Sequence, residues 1–564
     1  MTDPFKTYLQ ALQADLARGD ASEHTHRPAL KTLLESLGDR LTATNEPKQL
    51  TECGKPDLSV NQGPVLLGYV ETKDVGVNLD AEERGPQLKR YREALPNLIL
   101  TDYLEFRWYV NGERRAVASL GTVERGGKIR AKKEGLAAVG DLLTQFLALK
   151  LPSIGTAKDL ALRIAKLAHI LHNAALKTLE MEPDKGDLKG WLEAFEKTLV
   201  PNLSHEDFAD MYAQTLTYGL FAARVSRGTG QDLRRDTAAG LLPETNPFLK
   251  RLFYHLAGPE VPTTVSWVVD DMVSLLNSAD LEAVMADFGR GSLEKDPVVH
   301  FYETFLAAYD PEKRKVRGVY YTPEPVVSYI VRAIDYLLKE RFGRPWGLAD
   351  SNTLILDPAC GTGTFLHSVI ALIYDTLCAQ GQAGSWPAYV SQSLLPRIFG
   401  FELLMAPYAV AHLKLGLLLQ EKGFDFPPGH RLGVYLTNTL ERGIKQAEVL
   451  LGPIGYIAEE SNAAAHIKQE DPIEVVLGNP PYAGHSANAS VRQIPDPFTG
   501  KIRIERTWIG SLIEDYKKDC PELHKPAQAK WLQDDYVKFL RWGQWRITQT
   551  GRGILAMITN HGSG

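Results

Sequence analysis

Apolar positions change their spacing three times along the chain, and each change marks a different kind of structure. Phe5, Leu9, Leu12 and Leu16 fall on one helical stripe interrupted by Lys6, Asp15 and Arg18, which predicts a helix over about 4–18, with a second over about 24–37. A short strand at 57–60, an apolar strand at 65–73, a polar helix through 87–91 and a strand at 97–100 follow. Phe106 to Val110 and Arg115 to Leu120 flank Asn111-Gly112, a strong hairpin signal. From about 155 to 300 the period becomes helical: Leu160, Ile164, Leu167 and Leu171 recur in one phase, and Phe208, Met211, Tyr212 and Leu216 in another. After 301 strands and helices alternate again. Strands are expected at 353–356, 397–401, 434–436 and 474–477, and helices at 364–379 and 407–420. Such alternation implies a parallel, doubly wound sheet. The expected class is α/β, with an amino-terminal α/β domain over 1–150, a helical connector over 151–305 acting as a spacer, and a doubly wound core over 306–564.

Composition narrows this little. The 564 residues suit about three domains on a prior of roughly 150 residues each, and 44% hydrophobic with 23% charged residues describes ordinary packed cores. No apolar run approaches the roughly 20 residues that span a bilayer. Four cysteines (Cys53, Cys360, Cys378, Cys520) form no CxxC pair, which argues against a zinc site and suits a reducing, cytoplasmic compartment. The net charge of −6 does not advertise a nucleic-acid binder, so any attraction to DNA must be local.

The chemistry begins at Asp357-Pro358-Ala359-Cys360-Gly361-Thr362-Gly363. An apolar strand ends at Asp357, and the chain then turns sharply into a helix. Gly361 and Gly363 allow close backbone approach to a ligand, and the helix start supplies free N–H groups. Glu402, at the end of the next strand in Phe399-Gly400-Phe401-Glu402, stands where a carboxylate accepts both hydroxyls of a ribose. Asn438, at the end of the third strand, is placed either to hydrogen-bond an adenine or simply to cap a turn. Asn479-Pro480-Pro481-Tyr482 follows a fourth strand. Two prolines remove two donors, so the loop offers the Asn479 side-chain oxygen and the Pro480 carbonyl to an exocyclic amine. Tyr482 adds a face on which a base stacks. The combination suits methyl transfer to an amino group on a planar substrate.

With Gly318-Val319-Tyr320-Tyr321-Thr322-Pro323 upstream, these segments in this order resemble the motifs of N6-adenine DNA methyltransferases, most closely those in restriction–modification polypeptides of types IIG and I. The resemblance implies S-adenosyl-L-methionine as cofactor, a Rossmann-like core, and a flipped adenine of double-stranded DNA as target. By it, Tyr321 and Thr322 close over the methionine end of the cofactor. The family often has an acidic residue where this chain has Asn438.

Asp57, Glu71 and Lys73 form a second constellation. Residues two apart on a strand share a face, so Glu71 and Lys73 point the same way, and Asp57 heads the adjoining strand. Two carboxylates there would hold Mg²⁺, which activates a bound water, while Lys73 positions the water or the phosphate. The order of elements, with Gln87 and Tyr91 on the following helix, resembles PD-(D/E)xK endonucleases. An early-helix glutamate sometimes completes such sites, and Glu23 and Glu35 are the candidates.

Three further expectations concern the flanks. Lys313-Arg314-Lys315-Val316-Arg317 is either a solvated run or a phosphate contact. The polar stretch from Ala483 to about Gln528, carrying Arg492, Lys501, Arg503 and Arg506, reads either as a mobile loop over DNA or as a segment disordered without it. Gly553 to Thr559 reads as the fifth strand of the core. A complete core of this family has two more strands and a target-recognition domain, which suggests a fragment, or a product completed by a partner chain. The combined expectation is a restriction–modification protein, a Mg²⁺-dependent endonuclease fused to an adenine-N6 methyltransferase. The alternatives are a phage-defence methyltransferase with a degenerate nuclease, a glutamine-modifying protein methyltransferase, and a DNA-binding regulator that only senses the cofactor.

Overall fold

Asn111 and Gly112 both take positive φ, 49° and 85°, so their turn matches the twist of the strands it joins. They close a hairpin in the computed structural model, which describes residues 3–18, 22–45, 55–63, 65–124, 127–149, 154–183, 186–201, 203–228, 231–242, 247–258, 261–289, 297–310, 322–427, 429–442, 453–482, 488–495, 502–518 and 520–559. The chain divides into two units: Met1–Ile154 with Arg163–Met181 and Pro262–Asp280, and Gly155–Leu162 with Glu182–Val261 and Leu281–Gly564. The helical range 151–305 therefore contributes to both. No helix among the described residues is long and apolar enough to cross a membrane.

In the amino-terminal unit, β1 (Leu41–Asn45), β2 (Leu58–Gln62), β3 (Val65–Thr72), β4 (Asn97–Thr101), β5 (Glu105–Val110) and β6 (Glu113–Ser119) form one sheet in that order. β3 and β4 run parallel and the other neighbours antiparallel. Helices Pro4–Ala17 and Glu23–Glu35 bury Tyr8, Leu12, Leu30, Leu33 and Leu34 in a core shared with Val60, Val70 and Ile99. A Cβ on Gly68 would lie 2.7 Å from the Phe146 ring. That glycine lets the helix Gly135–Ala148 settle on the sheet. The small pair β7 (Gly121–Val123) and β8 (Ile129–Ala131), like β1, was not expected from the sequence.

The second unit holds β9 (Ile355–Asp357), β10 (Ile398–Glu402), β11 (Gly433–Leu436), β12 (Val475–Gly478) and β15 (Ile554–Met557), all parallel, in the order β11-β10-β9-β12-β15. From β9 the chain first winds outward to β11, then returns to place β12 on the other flank of β9. The reversal makes a switch point between β9 and β12, where open α/β sheets hold ligands at the carboxyl ends of their strands. Ile355, Leu356, Val475, Val476 and Leu477 are fully buried, as expected of parallel strands covered on both faces. The helix Thr364–Ala379 has the expected bounds, and Met405–Glu421 extends slightly beyond its own. The polar stretch after Ala483 departs from expectation. It contains a hairpin of β13 (Val491–Pro495) and β14 (Ile502–Arg506), then a helix Trp508–Glu514.

Candidate functional site

Asp357 ends β9 and is almost completely buried, with its Oδ1 accepting the Ala359 N–H at 3.1 Å. Gly361 and Gly363 then take left-handed φ of 54° and 77°. This bend starts the helix Thr364–Ala379 with no side-chain cap. Its first N–H groups are thus left for a ligand or water. A Cβ on Gly361 would meet nothing within 4 Å, whereas one on Gly363 would lie 3.3 Å from Ala411 Cβ. The first glycine serves the turn and an open approach, the second the packing of the helix.

Glu402 ends β10, the neighbour of β9 in register Gly400↔Asp357. Its carboxylate accepts N–H bonds from Gly361 at 2.9 Å, Leu403 at 2.9 Å and Leu404 at 2.8 Å. Those bonds aim it over the glycine bend. Burial raises the Glu402 pKa against the pull of these donors. Burial also pushes Asp357 to about 8, with the Glu402 charge adding to the rise. Two partly desolvated carboxylates beside an open bend and a helix start fit a nucleoside that carries a positive charge. The carboxylates match hydroxyl and cationic groups, and the absence of side chains at 361 leaves room.

Asn438, beyond the end of β11, behaves differently. Its Nδ2 donates to the Leu199 carbonyl at 3.3 Å and to Asn488 Oδ1 at 2.8 Å, and its Oδ1 accepts from Leu440 N at 3.1 Å. The amide is engaged by protein on every side, which favours the turn-capping role. The same strand end is fixed by Thr439, whose hydroxyl donates to the Pro358 carbonyl at 2.5 Å. Buried Lys468 donates to Thr437 Oγ1 at 2.6 Å and to the Asn438 carbonyl at 2.7 Å. Burial lowers its pKa to about 7, Glu441 opposing. Sequence reasoning missed Lys468 and Asn488, whose partners lie 30 and 50 residues away.

Asn479-Pro480-Pro481-Tyr482 leaves β12 at Gly478. A Cβ on Gly478 would lie 2.6 Å from Asp357 Oδ1, so the glycine is what permits the diproline loop to depart directly beside the glycine bend. Asn479 Nδ2 donates to Thr322 Oγ1 at 3.1 Å, and the Tyr482 hydroxyl donates to Asn479 Oδ1. Pro480 is buried; Asn479, Pro481 and Tyr482 are half-buried. The Tyr482 ring tilts at 60° to that of Tyr536, with centroids 6.2 Å apart, and burial raises its hydroxyl to about 12. Thr322 thus joins the loop, while Tyr321 and the basic run 313–317 lie outside the described residues.

Residues 293–501 match the family model described as N-6 DNA Methylase. The chain carries an N6 DNA methylase domain. No curated protein matches the sequence. Among solved structures, the DrdV–DNA complex determined by cryo-electron microscopy is similar over 99% of this chain and 50% of that one, at 24% identity and a TM-score of 0.51. The ATP-dependent type ISP restriction–modification enzyme LlaBIII bound to DNA is similar over 76% of this chain and 26% of that one, at 19% identity and the same TM-score of 0.51. Both are likenesses of fold. The chain spans about half the length of the first and about a quarter of the second.

The carboxylates of the amino-terminal unit, which lie outside the methylase match, are arranged otherwise than a metal seat requires. Asp57 is buried at the head of β2. Its Oδ1 takes the Arg27 guanidinium at 2.5 Å, and its Oδ2 takes the Thr72 N–H and hydroxyl, both at 2.8 Å. Arg27 also donates to Glu23 at 2.6 Å. Glu71 accepts Lys73 Nζ at 2.8 Å through Oε1, while its buried Oε2 has no partner. Burial pushes Glu71 to about 8, with Asp57 adding to the rise and Lys73 opposing it. Burial likewise raises Asp57 against the pull of Arg27. Glu71 and Lys73 share a face as expected. The Mg²⁺ expected at Asp57 and Glu71 finds no support: no three His, Cys, Asp or Glu among the described residues are placed to hold a metal ion. The physical reason is Arg27, a cation already on the Asp57 carboxylate. Of the two candidate glutamates, Glu23 joins this cluster, and Glu35 instead accepts the Ala43 N–H at 3.0 Å. Gln87 donates to the Tyr91 hydroxyl at 2.9 Å on the helix Pro86–Ala94.

Proposed function

We propose that this chain transfers a methyl group from S-adenosylmethionine to the N6 atom of adenine in double-stranded DNA, as the modifying part of a cytoplasmic restriction–modification protein. One observation carries the reading: Asp357, Glu402 and Asn479 stand at or just beyond the carboxyl ends of adjacent strands β9, β10 and β12, with Gly478 against Asp357. When bound, S-adenosylmethionine supplies the methyl group on a sulfonium. Glu402 would accept the ribose hydroxyls, Asp357 would face the cationic end, and Thr322 would close over it. Asn438 shapes the strand end through its bonds to Leu199, Asn488 and Leu440.

The diproline loop acts on the amine. Asn479 Oδ1 and the Pro480 carbonyl accept its N–H groups, which turns the nitrogen lone pair out of the ring and toward the methyl donor. No strong base is needed, and the proton leaves to solvent after transfer. Tyr482 stacks on the extruded base, an interaction worth about 1–3 kcal/mol. Extrusion is required because the amine is out of reach inside the duplex. The test is transfer of labelled methyl to duplex DNA, followed by nucleoside analysis for N6-methyladenine. Label appearing on protein glutamine, or cofactor binding without transfer, overturns the reading.

The amino-terminal unit is read as the endonuclease-like part, on the strength of its element order and of Glu71 and Lys73 on one face. Its residues as arranged do not fit a metal, so no cleavage step is derived. A second reading, a phage-defence methyltransferase whose nuclease-like unit does not cleave, is favoured by the Arg27–Asp57 ion pair. Nicking of supercoiled plasmid in Mg²⁺, lost in Lys73→Ala, supports the first. Absence of nicking supports the second.

A further inference from the structure

We infer that the hairpin of β13 and β14 is a DNA-groove element attached to the catalytic loop, an assignment that rests on the methyl-transfer reading above. Its base is firmly held. Thr507 N donates to the Ser490 carbonyl at 3.1 Å and Thr507 Oγ1 to the Ala489 carbonyl at 2.8 Å. A Cβ on Gly510 would lie 1.9 Å from the Ser490 oxygen. Lys538 donates to the Asn488 carbonyl at 2.5 Å, and the Asn488 side chain takes Asn438 from the end of β11. The ribbon is therefore anchored to the edge of the sheet that carries the site, and β13 begins nine residues after Tyr482.

Its strands are out in solvent and chemically unusual for that position. Val491, Ile502 and Ile504 are 48%, 65% and 67% exposed. The register pairs Val491↔Arg506, Gln493↔Ile504 and Pro495↔Ile502, and directly paired residues share a face. The three apolar side chains thus lie on one face together with Arg506. Arg492 and Arg503 lie on the other, 3.8 and 3.7 Å from Glu505. Three arginines against Glu505 make the paired strands cationic, with Arg506 also 3.7 Å from Glu514 on the helix that follows, in a chain of net charge −6. A two-stranded hairpin is marginal alone in water, and one with exposed β-branched side chains calls for a partner. A second copy would bring like charges together. Duplex DNA is complementary: a two-stranded ribbon fits the major groove, thymine methyls offer apolar contact, and arginines reach the flanking phosphates.

The test is the salt dependence of binding to a 30-base-pair duplex, read by fluorescence anisotropy with the whole chain. Each phosphate contact contributes about 0.9 to the slope of log K against log salt. The triple variant Arg492→Ala/Arg503→Ala/Arg506→Ala should lose roughly 2.7 of slope and bind about 100-fold more weakly at 0.1 M salt. Ile502→Ser/Ile504→Ser should weaken binding with the slope unchanged. Both should keep the wild-type affinity for S-adenosylmethionine, which checks the fold. If wild type binds duplex and both variants match it, the hairpin assignment falls alone and the methyl-transfer reading stands. If wild type neither binds nor methylates duplex, both fall. Variants that lose self-association while keeping the DNA slope assign the ribbon to a contact between copies and overturn the proposal.

Discussion

Asn479 donates from its amide nitrogen to the hydroxyl of Thr322 at 3.1 Å, across 157 residues of chain. The bond joins the segment read as closing over the cofactor to the loop read as holding the target amine. It also leaves the Asn479 oxygen turned toward Tyr482. Asn479→Ala should lower the rate of methyl transfer by about 10²–10³-fold, the usual cost of removing one preorganised polar group, with cofactor affinity kept. Thr322→Ala removes only the bond that orients it, about 1 kcal/mol, so a three- to tenfold loss in rate is expected. Single-turnover kinetics and equilibrium binding separate the two.

Asp357 gives the site a pH dependence. Its carboxyl is held near 8 against an ordinary 3.8, chiefly by burial. A cationic ligand requires the ionised form. Affinity for S-adenosylmethionine should therefore fall as pH drops below about 8, by about tenfold for each pH unit, and Asp357→Asn should bind weakly without that slope. For the ligand-free protein the opposite trend is expected. A raised acid pKa favours the neutral folded form, so this group's contribution to stability declines as pH rises from about 4 to about 8. Calorimetric binding and thermal unfolding across pH 5–9 check both signs.

Gly478→Ala should damage the fold and the site together. The new methyl would sit 2.6 Å from Asp357 Oδ1, and overpacking of this kind costs about 1–3 kcal/mol. A lower midpoint of unfolding together with weaker cofactor binding is expected. An unchanged Tm would show that β9 and β12 are not in this contact.

Arg27→Met leaves Asp57 buried without its cation. Removing one partner of a buried ion pair costs about 3–5 kcal/mol, so a large drop in stability to urea is expected. Asp57→Asn in the same background should recover part of it. If Arg27 is what keeps a metal out, millimolar Mg²⁺ should raise the melting temperature of Arg27→Met more than that of wild type.

Much of this was legible in the chain because local chemistry left few options. The apolar run into Asp357 and two glycines admits a strand, a bend and a helix, and Asn111-Gly112 admits a tight hairpin. The bend and the diproline loop meet because a parallel sheet puts the carboxyl ends of its strands on one edge. What escaped depends on distance or on missing contrast. β1 buries only Ala43 of its five residues, so no alternation announces it. β13 and β14 are exposed on both faces and read as loop for the same reason. Arg27 sits on an amphipathic helix 30 residues before Asp57, and nothing local indicates that the two lie together. Asn438 depends on Leu199 and Asn488, which no local window contains.

The bond from Asn438 to the Leu199 carbonyl reaches beyond its 3.3 Å. Leu199 closes the helix Asp187–Thr198, which packs against Pro453–Gln469, the helix that carries Lys468 beneath the same strand end. Within the second unit, then, the stretch around residue 190 is masonry for the edge strand of the parallel sheet. Shortening it or exchanging it for a tether should unseat the third strand, and with it the berth proposed for the methyl donor.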